Sequence, residues 1–182
     1  MSRRVRVERP VWRANTCAVV CHRADANELL TRDGLPKFDV VYHDPPYNRR
    51  DYSTMYSLLN VVARNEKPAE WSPVTHLPRL PKKRDRSAYN MEAACERAMA
   101  ALVEASLAVS TYVLVSYNEE GLIDNQGWER ILQPYEARKL TKEHKRYKCR
   151  GRSAPVKVTE FLYVINRKPL PPSTSLDSTA SP

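Results

Sequence analysis

Tyr42-His43-Asp44-Pro45-Pro46-Tyr47-Asn48 follows the run Phe38-Asp39-Val40-Val41 and opens into the polar stretch Arg49-Arg50-Asp51-Tyr52-Ser53. A short β-branched run that meets a Pro-Pro pair reads as a strand that stops abruptly. Each proline removes a backbone donor and steers the residue before it away from helix. Asp44 then stands at the carboxyl end of a strand, where open α/β sheets hold their ligands. A plain turn with Asp44 as a solvated residue satisfies the same letters.

Upstream, Asn15-Thr16-Cys17-Ala18-Val19-Val20-Cys21 reads as a strand, and Asp25-Ala26-Asn27-Glu28-Leu29-Leu30 as a short helix with an acidic first turn. Strand, helix and the Phe38 strand make a βαβ unit, the building block of a parallel sheet. Asp25 suits the N-cap of that helix.

Downstream, residues 54–64 read as a helix capped by Ser53 or Thr54, with Met55, Leu58, Leu59 and Val62 on a core-facing side and Tyr56 packed beside it. Residues 65–89 carry Pro68, Pro73, Pro78 and Pro81, with Trp71 and the basic run Lys82-Lys83-Arg84. Such proline density opposes regular structure, so this is a loop that closes over a site or a disordered insertion. The clearest helix spans 90–106, where Met91, Ala94, Cys95, Ala98, Leu102 and Ala105 recur at helical spacing. Thr111-Tyr112-Val113-Leu114-Val115 is a continuous apolar strand ending in Ser116-Tyr117-Asn118, again polar residues at a carboxyl end, which either line a pocket beside Asp44 or form a turn. A short helix at 128–132 precedes strands at 135–142 and 157–166, read as an antiparallel pair.

The chain has 182 residues, one domain's worth, with 30 Lys plus Arg against 21 Asp plus Glu, a net charge of +9 and a pI near 9.5. That balance suits a polyanionic partner. The densest basic run, Lys145-Arg146-Tyr147-Lys148-Cys149-Arg150-Gly151-Arg152, joins the last two strands, where it reads as a phosphate-neutralising loop with a stacking aromatic or as a solvated charge run. Residues 1–14 form a basic arm with five arginines, and residues 168–182 a Pro/Ser/Thr-rich disordered tail. Cys17, Cys21, Cys95 and Cys149 have no paired metal spacing and read as reduced thiols. His22, His43, His76 and His144 are scattered, so no metal is expected, and His43 reads as a packed residue. Without a run of about 18 apolar residues or a signal peptide, the chain reads as a soluble cytoplasmic protein of bacterial or phage origin.

Asp44-Pro45-Pro46-Tyr47, with Tyr42 before it and Asn48-Arg49-Arg50-Asp51-Tyr52 after it, resembles the catalytic motif of amino-group methyltransferases that use S-adenosylmethionine, and most of all the Dam-like (D12) adenine-specific DNA N6-methyltransferases. Ala24-Asp25-Ala26, Val115-Ser116-Tyr117-Asn118-Glu119-Glu120-Gly121 and Thr159-Glu160-Phe161-Leu162-Tyr163-Val164-Ile165 extend the resemblance across 15–167. It implies an α/β, Rossmann-like methyltransferase sheet with antiparallel carboxyl-terminal strands. It also implies methyl transfer to a flipped adenine, as in DNA methylation by restriction-modification systems. Asp44 and the Pro45 carbonyl would grip the amine, with Pro46 holding the turn and Tyr47 stacking on the base, a contact worth about 1–3 kcal/mol. Asp25, Ala26, Asp44 and Ser116 would touch the cofactor, and Arg49, Arg50, Tyr52, Lys145, Arg146, Tyr147, Lys148, Arg150 and Arg152 the nucleic acid.

The residue types suit that chemistry. An exocyclic amine is a poor nucleophile because its lone pair is delocalised into the ring. Acceptors that hold both N–H bonds favour the pyramidal nitrogen of the transition state over the planar ground state.

One departure is large. The family's glycine-containing cofactor loop needs backbone that approaches the ligand closely. Here Gly34, Gly121, Gly127 and Gly151 are the only glycines and none are neighbours. The family's target-recognition region has no counterpart either. The chain thus resembles a carboxyl-terminal catalytic half, without the amino-terminal half of the cofactor site. That leaves a split enzyme completed by a second polypeptide, a truncated copy, or a non-catalytic nucleic-acid-binding or regulatory subunit. RNA adenine and cytosine N4 remain alternative acceptors, since the motif grips an amino group of either ring.

Overall fold

The structure is a computed structural model, and it describes residues 17–65, 67–68, 70–74, 76–78, 86–145 and 157–167. In chain order the elements are α1 (Ala26–Leu30), β1 (Phe38–His43), α2 (Tyr52–Met55), α3 (Ser57–Arg64), a 3-10 turn (Ala88–Asn90), α4 (Cys95–Val109), β2 (Ser110–Asn118), α5 (Asn125–Leu132), β3 (Glu136–Lys145) and β4 (Lys157–Asn166).

The strands form one mixed sheet in the order β1-β2-β4-β3. β1 and β2 are parallel, with Phe38 opposite Ser110 and His43 opposite Val115. A parallel pair needs a crossover, and α4 is the long helix of that connection. β4 runs antiparallel to both β2 and β3; the antiparallel pairing with β3 is the one expected of the last two strands.

The core lies on one face of this sheet. Val113, Val115 and Tyr117 of β2 and Tyr163 and Ile165 of β4 pack against Met99, Leu102, Val103 and Leu107 of α4 and Trp128 and Ile131 of α5. Burying a Leu, Ile or Met side chain contributes about 1.5–3 kcal/mol, so this layer accounts for most of the fold's cohesion.

Several expectations need correction. Cys17–Cys21 is irregular and exposed, so no βαβ unit forms there; Asn15 and Thr16 lie outside the described residues. An apolar run becomes a strand only where a neighbour satisfies its backbone, and no strand flanks β1 on its other edge among the described residues. The 54–64 helix is broken into α2 and α3 at Tyr56, whose φ of −102° and ψ of 17° leave the helical region. Its apolar side is not buried: Leu58, Leu59 and Val62 are exposed, as is Tyr56, whose ring lies 5.6 Å from that of Tyr52. The 90–106 helix begins only at Cys95, because Ala88–Asn90 is a 3-10 turn and Met91 is exposed. In the described part of the 65–89 loop, a bridge between Trp71 and Pro78 is closed by a Ser72 N–H to Leu77 carbonyl bond of 2.9 Å. Among the described residues no helix is long and apolar enough to cross a membrane.

Candidate active site

β1 ends at His43 opposite Val115, so Asp44 leaves the sheet there, while β2 runs on to Asn118; Ser116, expected beyond the strand end, is still within β2 and opposite Leu162 of β4. The motif then runs with no regular structure. Asp44 is exposed, Pro45 is buried, and Pro46, Tyr47 and Asn48 are half-buried.

Three anchors hold this loop. The first is His43, whose Nε2 lies 2.7 Å from Ser106 Oγ on α4. Ser106 spends its only proton on the Leu102 carbonyl at 2.6 Å, so the imidazole is the donor and carries its hydrogen on Nε2. Burial lowers the His43 pKa to about 4, because a second proton would place an unpaired charge in the core.

The second anchor is the Tyr47 carbonyl. It accepts the Leu122 N–H at 2.7 Å and the Tyr117 hydroxyl at 3.4 Å. The Tyr117 oxygen in turn accepts the Ile123 N–H at 3.0 Å. Burial pushes this phenol up to about 12, so it stays a donor. The Tyr47 ring meets Tyr117 edge-on, centroids 6.2 Å apart at 74°. Tyr117 packs edge-on against Trp128, which stacks on Tyr163. Tyr47 is thus half part of the core, where the sequence suggested only a stacking platform. Gly121 permits this arrangement, since a Cβ there would fall 2.0 Å from the Tyr117 ring.

The third anchor is Asn90. Its amide donates to the Asn48 carbonyl at 2.7 Å and the Arg50 carbonyl at 3.0 Å, and the residue is buried. Asn48 folds back to accept the Arg50 N–H at 2.9 Å, and Asp51 accepts the Ser53 N–H at 2.8 Å, so the chain turns tightly into α2.

Of the other residues singled out from sequence, Tyr52 comes to the motif. Its phenol is pushed up by burial first and then by neighbouring Tyr47 and Asp44. Asp25 takes the capping role: its Oδ1 accepts the Asn27 and Glu28 N–H groups at 2.9 and 3.3 Å. Ala26 is the exposed first residue of α1. α1 is joined to the site through the 3-10 turn: Asn27 bonds the Tyr89 hydroxyl and, at 3.0 Å, the Ala98 carbonyl, while adjacent Asn90 holds the motif loop. Arg49 is ion-paired with Glu92, and its carbonyl accepts from Arg86 at 3.4 Å; Arg50 is exposed. Lys145 ends β3, remote in the strand order from β1. Arg146, Tyr147, Lys148, Arg150 and Arg152 lie outside the described residues. Among the described residues, no group of three or more His, Cys, Asp or Glu gathers as a metal-ligand set.

Asn90, Gly121 and Ser106 were not singled out from sequence. The one usable signal was Ser106, a polar residue within the apolar stripe of α4, three positions after Val103 and next to Leu107.

No protein-family profile matches the chain, and no solved structure does. Among curated proteins it is 32% identical over 157 residues to the modification methylase StsI of Streptococcus sanguinis, covering 84% of this chain and 23% of that one. It is 28% identical over 150 residues to the type II methyltransferase M.FokI of Planomicrobium okeanokoites, covering 80% of the chain and 22% of the relative. For the type II methyltransferase M.CviAII of Paramecium bursaria Chlorella virus 1 the figures are 29% over 155 residues, 84% and 43%. The chain therefore spans between about a fifth and two fifths of these relatives' length, and across most of its own length it is homologous to type II modification methylases.

Proposed function

We propose that this chain carries the catalytic half of a Rossmann-like DNA methyltransferase that transfers a methyl group from S-adenosylmethionine to adenine N6. The carrying observation is the placement of Asp44-Pro45-Pro46-Tyr47 at the carboxyl edge of a parallel strand pair, in a chain homologous to type II modification methylases. The donor set fits an amine. Asp44 offers an exposed carboxylate, and the Pro45-Pro46 pair restricts the backbone beside it, which supports a reading in which these two residues supply the acceptors for an NH2 group. The fit to a whole cofactor is partial, because the four glycines provide no paired close-approach loop. A second polypeptide segment supplies the remainder of that site and the region that reads bases.

In this reading Asp44 accepts one N–H bond of the flipped amine and the Pro45 carbonyl the other. This orients the nitrogen lone pair and stabilises the positive charge that develops as it attacks. When bound, S-adenosylmethionine would supply the methyl group from its sulfonium and leave as the neutral thioether S-adenosylhomocysteine. The exposed Asp44 carboxylate is open to water, through which the surplus proton leaves. His43, neutral at ordinary pH, ties the strand end to α4, and Asn90 and Tyr117 keep the loop in register. Tyr52, whose phenol feels both Tyr47 and Asp44, joins Tyr47 as the aromatic surface offered to the base in this reading. Arg50 and Lys145, with the basic run after Lys145, neutralise phosphates, and each contact steepens the negative slope of log affinity against log salt by about 0.9. Removing one such fixed transition-state partner typically costs about 10²–10³ in rate.

The test is the nucleoside product. DNA incubated with labelled cofactor and the chain, alone and with a complementing half, is digested and its methylated bases identified. N6-methyladenine supports the proposal. N4-methylcytosine, or label only in RNA, reassigns the acceptor.

A further inference from the structure

The loop that carries Asp44-Pro45-Pro46-Tyr47 is tied at both ends to one helix. Before it, His43 bonds Ser106 of α4. After it, the consecutive carbonyls of Asn48, Arg49 and Arg50 accept from side chains of the segment 86–90: Asn90 donates to the first and third at 2.7 and 3.0 Å, and Arg86 to the second at 3.4 Å. That segment is rooted in turn. Tyr89, buried and next in sequence to Asn90, donates its hydroxyl to Asn27 Oδ1 of α1, and the nitrogen of the same amide donates to the Ala98 carbonyl of α4 at 3.0 Å. Asn27 thus links Tyr89 to α4 by using both ends of its side chain. Burial, and then Asp25 beside it, push the Tyr89 phenol up, so the hydroxyl keeps its proton. Ala98 and Ser106 lie about 12 Å apart along α4 at 1.5 Å per residue. One rigid element therefore sets both where the motif begins and where it ends.

We infer that Tyr89 is a positioning residue for methyl transfer: its hydroxyl, set by Asn27 against α4, fixes Asn90 and through it the span of the loop that presents Asp44 and the Pro45 carbonyl to the amine. Tyr89 acts through Asn90 and not on the reacting atoms. A satisfied, buried chain of hydrogen bonds holds its members in a single arrangement, and a reacting group displaced by 1 Å costs about a hundredfold in rate. The packed ring alone would seat the segment against α1; the hydroxyl adds the register. The inference rests on the functional reading above for what the loop presents, and the linkage from α1 to the loop is read separately below.

The test is hydrogen exchange on the 182-residue chain. Tyr89→Phe removes the hydroxyl and keeps the ring, so the variant should still melt in one cooperative transition. The Arg50 and Ser53 amides, which close the turns of the loop at 2.9 and 2.8 Å, should exchange about two- to tenfold faster, the shift in opening that loss of one hydrogen bond brings. The Glu119 amide, bonded to the Thr159 carbonyl at 3.1 Å on the loop after β2, should keep its rate. Asn27→Ala should reproduce the effect, and neither variant should add to it in an Asn90→Ala background, because all three act in series. Paired with a complementing half, Tyr89→Phe should lower kcat about tenfold with KM for DNA changed by less than about twofold, as a displacement well under 1 Å requires. Unchanged exchange at Arg50 and Ser53, an equal rise at Glu119, or a further rise on top of Asn90→Ala overturns the inference. So does a loss carried by KM with kcat intact. Absence of transfer by the wild type in every pairing removes the functional reading and with it the role in methyl transfer, whereas unchanged loop exchange in an active pair removes the assignment of Tyr89 alone.

Discussion

Gly121→Ala should damage the fold from within the motif loop. The added Cβ would lie 2.0, 2.6 and 2.9 Å from three atoms of the Tyr117 ring. That ring cannot swing aside cheaply, since it is 3% exposed and wedged between Tyr47 and Trp128. Overpacking of this kind costs about 1–3 kcal/mol. Moving the ring also disturbs the hydrogen bonds of its hydroxyl to the Tyr47 carbonyl and from the Ile123 N–H, worth about 0.5–1.5 kcal/mol each. The total is about 2–6 kcal/mol, a large share of the roughly 5–15 kcal/mol that holds a domain together. In urea, with a slope of about 2 kcal/mol/M, the midpoint should fall by roughly 1–3 M. The cost should shrink in a Tyr117→Leu background, where the ring is gone. A loss within about 0.5 kcal/mol, or one equally large without the ring, refutes the reasoning.

Asn90→Ala removes the donor of two hydrogen bonds, to the Asn48 and Arg50 carbonyls, and should cost about 1–3 kcal/mol at about 0.5–1.5 each, with faster hydrogen exchange across residues 48–53; unchanged exchange there would show that the loop is held elsewhere. Asp25→Ala should cost about 1 kcal/mol of cap stability, whereas Asp25→Asn keeps the cap; if Asp25 also grips the cofactor, the asparagine variant melts normally and loses cofactor affinity in calorimetry. His43 has a folded pKa of about 4 against 6.5 unfolded, so between those values the unfolded chain binds the extra proton. Stability is therefore full above pH 6.5 and falls by up to about 3 kcal/mol as pH drops towards 4, and His43→Gln should flatten that limb in pH-dependent denaturation.

The backbone of the site was legible because its signals are local. Phe38-Asp39-Val40-Val41 and Thr111-Tyr112-Val113-Leu114-Val115 are short apolar runs closed by polar residues, and both became parallel strands, the first ending at His43 and the second running three residues further than expected, to Asn118. The alternating run at 157–166 became β4, antiparallel on both sides. What escaped depends on distant partners. Val19 and Val20 have strand propensity but pair with no strand among the described residues. Leu58, Leu59 and Val62 share a helix face, yet periodicity says nothing about whether a second layer covers it. In α4 the buried stripe runs through Met99, Val103 and Ser106, one step from the Ala98 and Ala105 line, because alanines fit either side of a helix and do not set its phase. Asn90 comes from the end of a proline-rich loop, and its role is defined by carbonyls more than 40 positions earlier in part of its bonding.

The most direct measurement compares wild type with Asp44→Ala, each paired with a complementing half, for labelled methyl transfer to DNA at matched DNA and cofactor occupancy. The account predicts transfer by the wild type and a loss of at least about a hundredfold in the variant, with DNA binding preserved. Transfer that survives the substitution, or DNA binding with no transfer by either protein in any pairing, would contradict it.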